Sequence, residues 1–382
     1  MIYLNNAATS YPKPKKVQEA VMASFSGPLV HASRTGMERD EDDILYVCRS
    51  KLADLFNIED PLHIVFTSGS TEALNLAIKG LPLEGGNVVI SAIEHNSVIR
   101  PLKTLEKEGK ISVTIVECDK NGYIEPQQFA EAIRDDTKAI VVNHCSNVTG
   151  AVLDIAEIAK IAHSAGAYIV VDASQSAGAV PIDCKNWDID LLAFTGHKSL
   201  YGMQGIGGLY IKEGIELKPL KVGGTGILSE LLLQPEGFPI HYEAGTPNTP
   251  GIISLYAGLQ FIFETGLENI IEHKKKLYKI LFDELGDNPD IEIYSPKNEH
   301  TSYSNFCFNI KGMVPEEVGY VLEASFDIWV RTGLHCAPLI LPYLGVEPWG
   351  TVRASHSYFT TEEEIYKFVE AVKKITIIPK RK

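Results

Sequence analysis

The chain has 382 residues, 45% hydrophobic and 22% charged, a balance that supports a large buried core in two domains and argues against disorder or low complexity. Its 49 acidic against 35 basic residues give a formal charge of −14, which works against nucleic acid as a partner. The start Met1-Ile2-Tyr3-Leu4-Asn5-Asn6-Ala7-Ala8 lacks the basic segment, apolar core and cleavage site of a signal peptide, and no apolar run is long enough to span a membrane, so a cytoplasmic protein without membrane contact is expected.

Residues 1–14, with Pro12 and Pro14, read as an arm that packs with a smaller C-terminal domain. From about residue 62 to 211, β-rich runs alternate with helical stretches: strand 63–66, helix 71–80, strand 87–91, helix 97–108, strand 112–117, helix 126–134, strand 138–142, helix 154–165, strand 168–171, then strands near 190–194 and 207–211. Such alternation predicts an α/β fold, a mainly parallel sheet covered by helices, with ligands gathering at the carboxyl ends of the strands. The Gly- and Pro-rich stretch Val222–Gly251 should be irregular and closes a large domain spanning 15–250. Beyond it, a helical pattern from Ile252 to Leu285, strands near 291–294, 303–310 and 351–354, and helices near 315–324 and 361–375 describe a smaller α+β domain over 251–382.

Several strand ends carry residues with chemical potential. Ile64-Val65-Phe66 runs into Thr67-Ser68-Gly69-Ser70-Thr71-Glu72 and a helix, where free N–H groups and hydroxyls can cradle a phosphate. Taken alone, the same stretch is an ordinary helix cap by Ser70 or Thr71. His95, in Glu94-His95-Asn96-Ser97, follows strand 87–91 and can stack on a flat ring or pass protons; a lone loop histidine is otherwise simply solvated. Asn147, after strand 138–142, can donate to a ring oxygen or a carboxylate, or merely hold a turn before Gly150.

Strand Tyr168–Val171 ends in Asp172, with Gln175 three residues on, and Ala193-Phe194-Thr195-Gly196-His197-Lys198 brings a lysine just past the next strand. A carboxylate able to hold a pyridinium nitrogen and an amine able to capture an aldehyde are together what pyridoxal 5'-phosphate requires. Their bland readings, a helix-capping carboxylate and a surface amine, weaken because both residues share an edge with the phosphate cradle. The glycine-rich loop Tyr201–Gly208 is no dinucleotide motif and allows close backbone approach around Lys198.

The six cysteines (Cys48, Cys118, Cys145, Cys184, Cys307 and Cys336) form no CxxC pair and suggest neither a metal site nor a disulfide framework. Cys336 stands apart, on the Gly- and Pro-bounded loop Arg331-Thr332-Gly333-Leu334-His335-Cys336-Ala337-Pro338, where a neighbouring imidazole and a nearby guanidinium favour thiolate. Cys48, Cys118, Cys184 and Cys307 read as small buried hydrophobes, and Cys145 as ambiguous. Arg353 ends a short strand of the smaller domain and can grip an α-carboxylate, or form a surface ion pair.

Together the motifs Tyr3–Ala8, Thr67–Ala73, Glu94–Ser97, Val171–Gln175, Gly196-His197-Lys198, Gly245-Thr246-Pro247 and Arg331–Cys336 resemble, over essentially the whole chain, the class V aminotransferase-like pyridoxal phosphate enzymes of fold type I, and within them the cysteine desulfurases and selenocysteine lyases. The resemblance implies that Lys198 carries the cofactor, Asp172 pairs with its ring nitrogen, Gln175 bonds its ring hydroxyl and His95 stacks on the ring, with Asn147 helping to seat cofactor or substrate. It further implies a phosphate held by Ser70 and Thr71 with their backbone neighbours, by Thr195 and His197, and by Thr246 from the partner subunit of a homodimer. Arg353 would bind the carboxylate of an amino-acid substrate, and Cys336 would accept its sulfur. The expected reaction converts L-cysteine to L-alanine and a persulfide on Cys336 for a possible sulfur-acceptor protein. The alternatives are selenocysteine cleavage, or transamination or epimerisation on the same fold. The single histidine before the thiol and Met203 after the lysine depart from common members.

Overall fold

The computed structural model describes residues 1–27 and 43–377. In chain order they form β1 (Ile2–Tyr3), α1 (Lys15–Ser24), α2 (Ile44–Phe56), β2 (Ile64–Thr67), α3 (Ser70–Gly80), β3 (Asn87–Ser91), α4 (Asn96–Lys107), β4 (Ser112–Val116), α5 (Pro126–Ala132), β5 (Thr137–Asn143), α6 (Ile155–Ser164), β6 (Tyr168–Asp172), β7 (Leu191–Thr195) and β8 (Gly207–Ile211). There follow α7 (Thr249–Thr265), α8 (Leu267–Leu285), β9 (Ile291–Ile293), β10 (Asn305–Ile310), α9 (Pro315–Phe326), β11 (Ile328–Trp329), β12 (Arg331–Gly333), α10 (Leu341–Leu344), β13 (Thr351–Ser355) and α11 (Glu362–Thr376).

Seven strands form the central sheet in the order β2-β8-β7-β6-β5-β3-β4, with β8 antiparallel to both neighbours and every other pairing parallel. The continuous apolar runs of β5, β6 and β7 follow from burial on both faces. Ile140, Val142, Ile169, Val171, Leu192 and Phe194 point into one apolar cluster, and the alternate residues Ala139, Val141, Val170, Leu191 and Ala193 into another. Because the strands other than β8 run the same way, Thr67, Ser91, Asn143, Asp172 and Thr195 end along one edge, as the alternation predicts.

A second sheet, β12-β13-β10-β9, is antiparallel and packs with α8, α9 and α11 around Phe306, Phe308, Leu322, Val352 and Phe368. Leu4 lies in this cluster, and β1 pairs in parallel with β11, so the start of the chain is stitched to the second sheet.

The structure corrects the reading of one helix over Ile252–Leu285. Gly266, at φ +84°, ends α7 and begins α8, a left-handed conformation that glycine adopts freely and that interrupts the helical path. Leu255, Leu259 and Ile262 of α7 belong to the core of the large sheet, whereas Leu277, Leu281 and Leu285 of α8 belong to that of the small one. Within α7, Gly258 meets the loop after Lys198 so closely that a Cβ would stand 2.1 Å from the carbonyl oxygen of Leu200.

Candidate active site

The aligned strand ends open into a cleft with a volume of about 230 Å³. Ser70, Thr71, His95, Asn147, Asp172, Gln175, Thr195, His197, Lys198 and Arg353 all line it. Helix α3 starts beside the cleft with Gly69 as its cap, so the amides of its first residues, Ser70 and Thr71, have no acceptor within the helix. Thr71 Oγ1 lies 2.9 Å from Ser97 Oγ, which in turn lies 2.8 Å from His95 Nδ1. This chain of hydroxyls ties the start of α3 to the imidazole.

His95 is also the cap of α4. Ser97 N–H donates to His95 Nδ1 at 3.1 Å, which makes Nδ1 an acceptor and leaves the proton of the neutral ring on Nε2. Burial lowers the His95 pKa; Asp172 opposes this, and Lys198, Arg331 and Arg100 reinforce it. Beneath it, buried Glu94 accepts from Asn143 N at 2.7 Å and from Ser91 Oγ, fastening the ends of β3 and β5. Burial raises the Glu94 carboxyl to about 8.

Asp172 is buried at the end of β6, where both Ser174 N–H, at 2.9 Å, and Ser174 Oγ donate to its Oδ1. Lys198 follows the end of β7, whose residues Leu191, Leu192 and Ala193 pair with Val170, Val171 and Asp172 of β6. Burial lowers the Lys198 ammonium from its ordinary 10.5 to about 8; Asp172 opposes the shift, while Arg353 and Arg331 add to it. The amine is therefore available as a free base far nearer neutrality than a surface lysine.

The N-terminal arm secures the peptide ahead of that amine. Thr9 Oγ1, Ser10 N, Ser10 Oγ and Lys13 Nζ all donate to the carbonyl oxygen of His197, at 3.1, 3.1, 3.2 and 2.8 Å. Gln175 Nε2 donates to the Ala7 carbonyl at 3.0 Å, so the arm also holds the amide beside the cleft.

Two guanidinium groups face the cleft from adjacent strands, since Arg331 of β12 is paired in register with Arg353 of β13. Arg353 is buried and donates to the Asn147 carbonyl at 2.6 Å and to Asn5 Oδ1 at 3.2 Å, while its Nε has no partner. Burial, then the charge of Arg331, lowers the Arg353 pKa to about 9. Paired cations in a cleft without a neutralising carboxylate between them suit a bound carboxylate.

Cys336 lies at the edge of this arrangement, and Arg331 Nη2 donates to its Sγ at 3.3 Å. Its carbonyl accepts from Asn96 N at 2.8 Å, and the His335 carbonyl accepts from Asn147 Nδ2 at 2.7 Å, so the thiol loop is fastened to the same strand ends as the cleft. His335 and Cys336 are both left-handed, at φ +51° and +57°. The sequence suggested that the neighbouring imidazole makes the thiol's surroundings positive, but His335 is buried against Thr351, at 3.1 Å from its carbonyl and 3.0 Å from its hydroxyl. Burial depresses its pKa well below the ordinary value, so the ring is neutral and Arg331 is the cation at the sulfur. The other five cysteines are buried, and burial raises the pKa of each thiol.

Thr246 stands elsewhere. It lines a separate pocket with Thr67, Ser68, Glu72 and Lys221, and does not line the Lys198 cleft. Arg331, Ser97, Asn143 and Ser174 line the cleft without having been proposed for it from the sequence. For Ser97 the signal was present, because a Ser two residues after a capping His can bond its ring nitrogen.

The side chains fit pyridoxal 5'-phosphate. His197 Nδ1 is buried without a partner, the first amides of α3 are open beside it in the cleft, and Asp172 keeps Oδ2 clear of the Ser174 bonds. Burial and Lys198 and Lys13 lower the His197 pKa to about 4, which keeps that imidazole neutral.

The family model described as "Aminotransferase class-V" matches residues 2–368. A protein of Methanothermobacter thermautotrophicus named "Probable cysteine desulfurase" is 35% identical, over 98% of this chain and 94% of its own length. An Escherichia coli protein named "Cysteine desulfurase" is 31% identical, over 98% and 93%. Among solved structures, the apo cysteine desulfurase of Thermococcus onnurineus NA1 superposes with a TM-score of 0.87 at 32% identity, covering 98% of this chain and 94% of that one.

Proposed function

This chain belongs to the aminotransferase class-V family, and from that membership we propose that it is a cysteine desulfurase that takes the sulfur of L-cysteine onto Cys336 and releases L-alanine. The observation that carries this reading is the thiol itself. Cys336 alone among the cysteines is not buried, and Arg331 joins its Sγ to the cleft that holds Lys198 and Asp172. A transaminase or epimerase would have no use for that thiol.

In this reading Ser70, Thr71, Thr195 and His197 would hold the phosphate of pyridoxal 5'-phosphate, Asp172 its ring nitrogen and Gln175 its ring hydroxyl, with His95 against the ring and Lys198 as the amine that would take its aldehyde. When bound, it supplies an electron sink for charge developing at the Cα of an amino acid. Arg353, with Arg331 beside it, orients the substrate carboxylate. Lys198 Nζ takes the Cα proton and serves as the proton donor within the cleft, a role suited to an amine lowered to about 8. Cys336 Sγ attacks the substrate sulfur; as the S–S bond forms, the C–S bond breaks, its electron pair stays with Cβ, and Cβ takes up a proton. The thiol proton is the one that Cβ takes up, while the neutral His95, whose Nδ1 accepts from Ser97, presents Nε2–H to the cleft as a donor. One cysteine and one thiol thus become one alanine and one persulfide. The displacement of Thr246 from its own chain's cleft supports a homodimer in which it reaches the partner's phosphate site.

Product analysis tests the proposal. With cysteine, purified protein should yield equimolar alanine and a Cys336 peptide one sulfur atom heavier by mass spectrometry. Keto-acid or D-amino-acid products with an unmodified Cys336 would instead select transamination or epimerisation, and turnover confined to selenocysteine would select the lyase.

The lowered amine makes a separate pH prediction. Between about 8 and the ordinary 10.5 the folded Lys198 binds fewer protons than the unfolded chain, so its penalty on stability is full below about 8 and fades as pH rises through that window. The rate at which apo-protein takes up pyridoxal 5'-phosphate, followed by absorbance, should accordingly climb with pH and level off above about 8. A rise continuing toward 10.5 would show an unperturbed lysine.

A further inference from the structure

A second, smaller cavity lies next to the cleft and shares Ala7, Gln175 and Lys198 with it. It leaves about 20 Å³ open to the centre of a water-sized particle, enough for one. Its wall includes Lys274 of α8, only 2% exposed, together with Ser10, Ser199, Ser304 and Asn305. None of the residues lining it is a carboxylate.

Lys274 is unusual among the buried charges of this protein. Buried Arg49 has Glu243 at 2.8 Å, but among the described residues no hydrogen bond or ion pair engages the Lys274 ammonium. The neighbouring titratable groups do not compensate it. Cys145 is a thiol whose pKa burial raises to about 11, His356 is held neutral by burial with its Nε2 3.2 Å from the Lys274 carbonyl, and Lys198 carries no negative charge in either form. An ammonium taken out of water without a counter-charge is costly, and burial lowers the Lys274 pKa from 10.5 to about 8, a value at which the amine still carries its charge at neutral pH. A water molecule in the cavity can accept one of its hydrogens but cannot neutralise it.

We propose that this cavity is a binding site for one halide-sized monovalent anion, held by Lys274 beside the catalytic lysine. The cavity leaves about 20 Å³ open to the centre of a water-sized particle, room for one small ion in place of one water. The site is independent of the desulfurase reading, because it needs only the folded chain.

Crystals of the protein reconstituted with pyridoxal 5'-phosphate and soaked in sodium bromide should show an anomalous scattering peak in the cavity, absent from Lys274→Met. In solution, the wild type in bromide should melt about 2–4 °C above the same protein in gluconate at equal ionic strength, a difference that Lys274→Met removes. If Lys274→Met does not fold, Lys274→Gln serves, and the wild-type bromide peak and halide-specific Tm shift remain decisive by themselves. A cavity holding only water at high bromide, an equal peak in the variant, or equal Tm in bromide and gluconate would overturn the proposal. None of these readouts involves turnover, so they stand apart from the product test above.

Discussion

Lys198→Ala is expected to lower alanine production from cysteine by at least roughly 10²–10⁴-fold, the usual worth of a positioned proton-transfer group, with the loss of covalent cofactor attachment added to it. The size of the effect comes from how few substitutes the cleft contains. Glu94 accepts hydrogen bonds from Asn143 and Ser91 beneath the site, His95 has Nδ1 engaged by Ser97, and Arg353, lowered only to about 9, keeps its proton at neutral pH. Borohydride reduction followed by mass spectrometry should fix the cofactor on wild-type Lys198 and on no lysine of the variant. A variant keeping more than a tenth of wild-type kcat would show that another group moves the Cα proton.

Cys336→Ser should be nearly as severe for cysteine, with a loss on the order of 10²-fold or more and no sulfur gained by the peptide. A hydroxyl at neutral pH is a far weaker nucleophile than a thiol, and Arg331 Nη2 stands 3.3 Å from the sulfur that the substitution removes. The substitution is close to isosteric and lies on a loop fastened through its backbone by Asn96 and Asn147, so cofactor absorbance and Tm should stay near wild type. Selenocysteine, with its weaker C–Se bond, should be cleaved by the variant with much smaller loss. Wild-type rates with cysteine would remove Cys336 from the reaction. A large loss accompanied by loss of cofactor absorbance would point instead to a structural role.

Much of the large sheet was legible because β3, β5, β6 and β7 are buried on both faces and therefore read as uninterrupted apolar runs ending in polar residues. Asp172, Lys198 and His95 sit within a few residues of those ends, so finding the strands found them as well. The helix α2 was missed despite local signals, with Asp43 accepting from Leu45 N at its start and Asn57 left-handed at its end. The apposition of Arg331 to Arg353 was beyond reach for another reason. It depends on the register of β12 against β13, which no short-range pattern specifies. His335 misled because its neutrality follows from burial, reinforced by Arg353 and Arg331, a tertiary fact.

The stitching of the arm has a consequence for how the protein is made. Asn5 bonds Arg353, Ala7 N–H bonds Ser355 Oγ at 2.9 Å, and β1 has only β11 as its strand partner among the described residues. On the ribosome, at about 5–20 residues per second, the arm emerges tens of seconds before the residues it grips. The large sheet can be complete by then, yet the four donors that secure the Lys198 peptide lie on a segment still waiting for its anchor. A nascent chain therefore cannot finish this cleft until Arg331 and Arg353, which line it, have emerged.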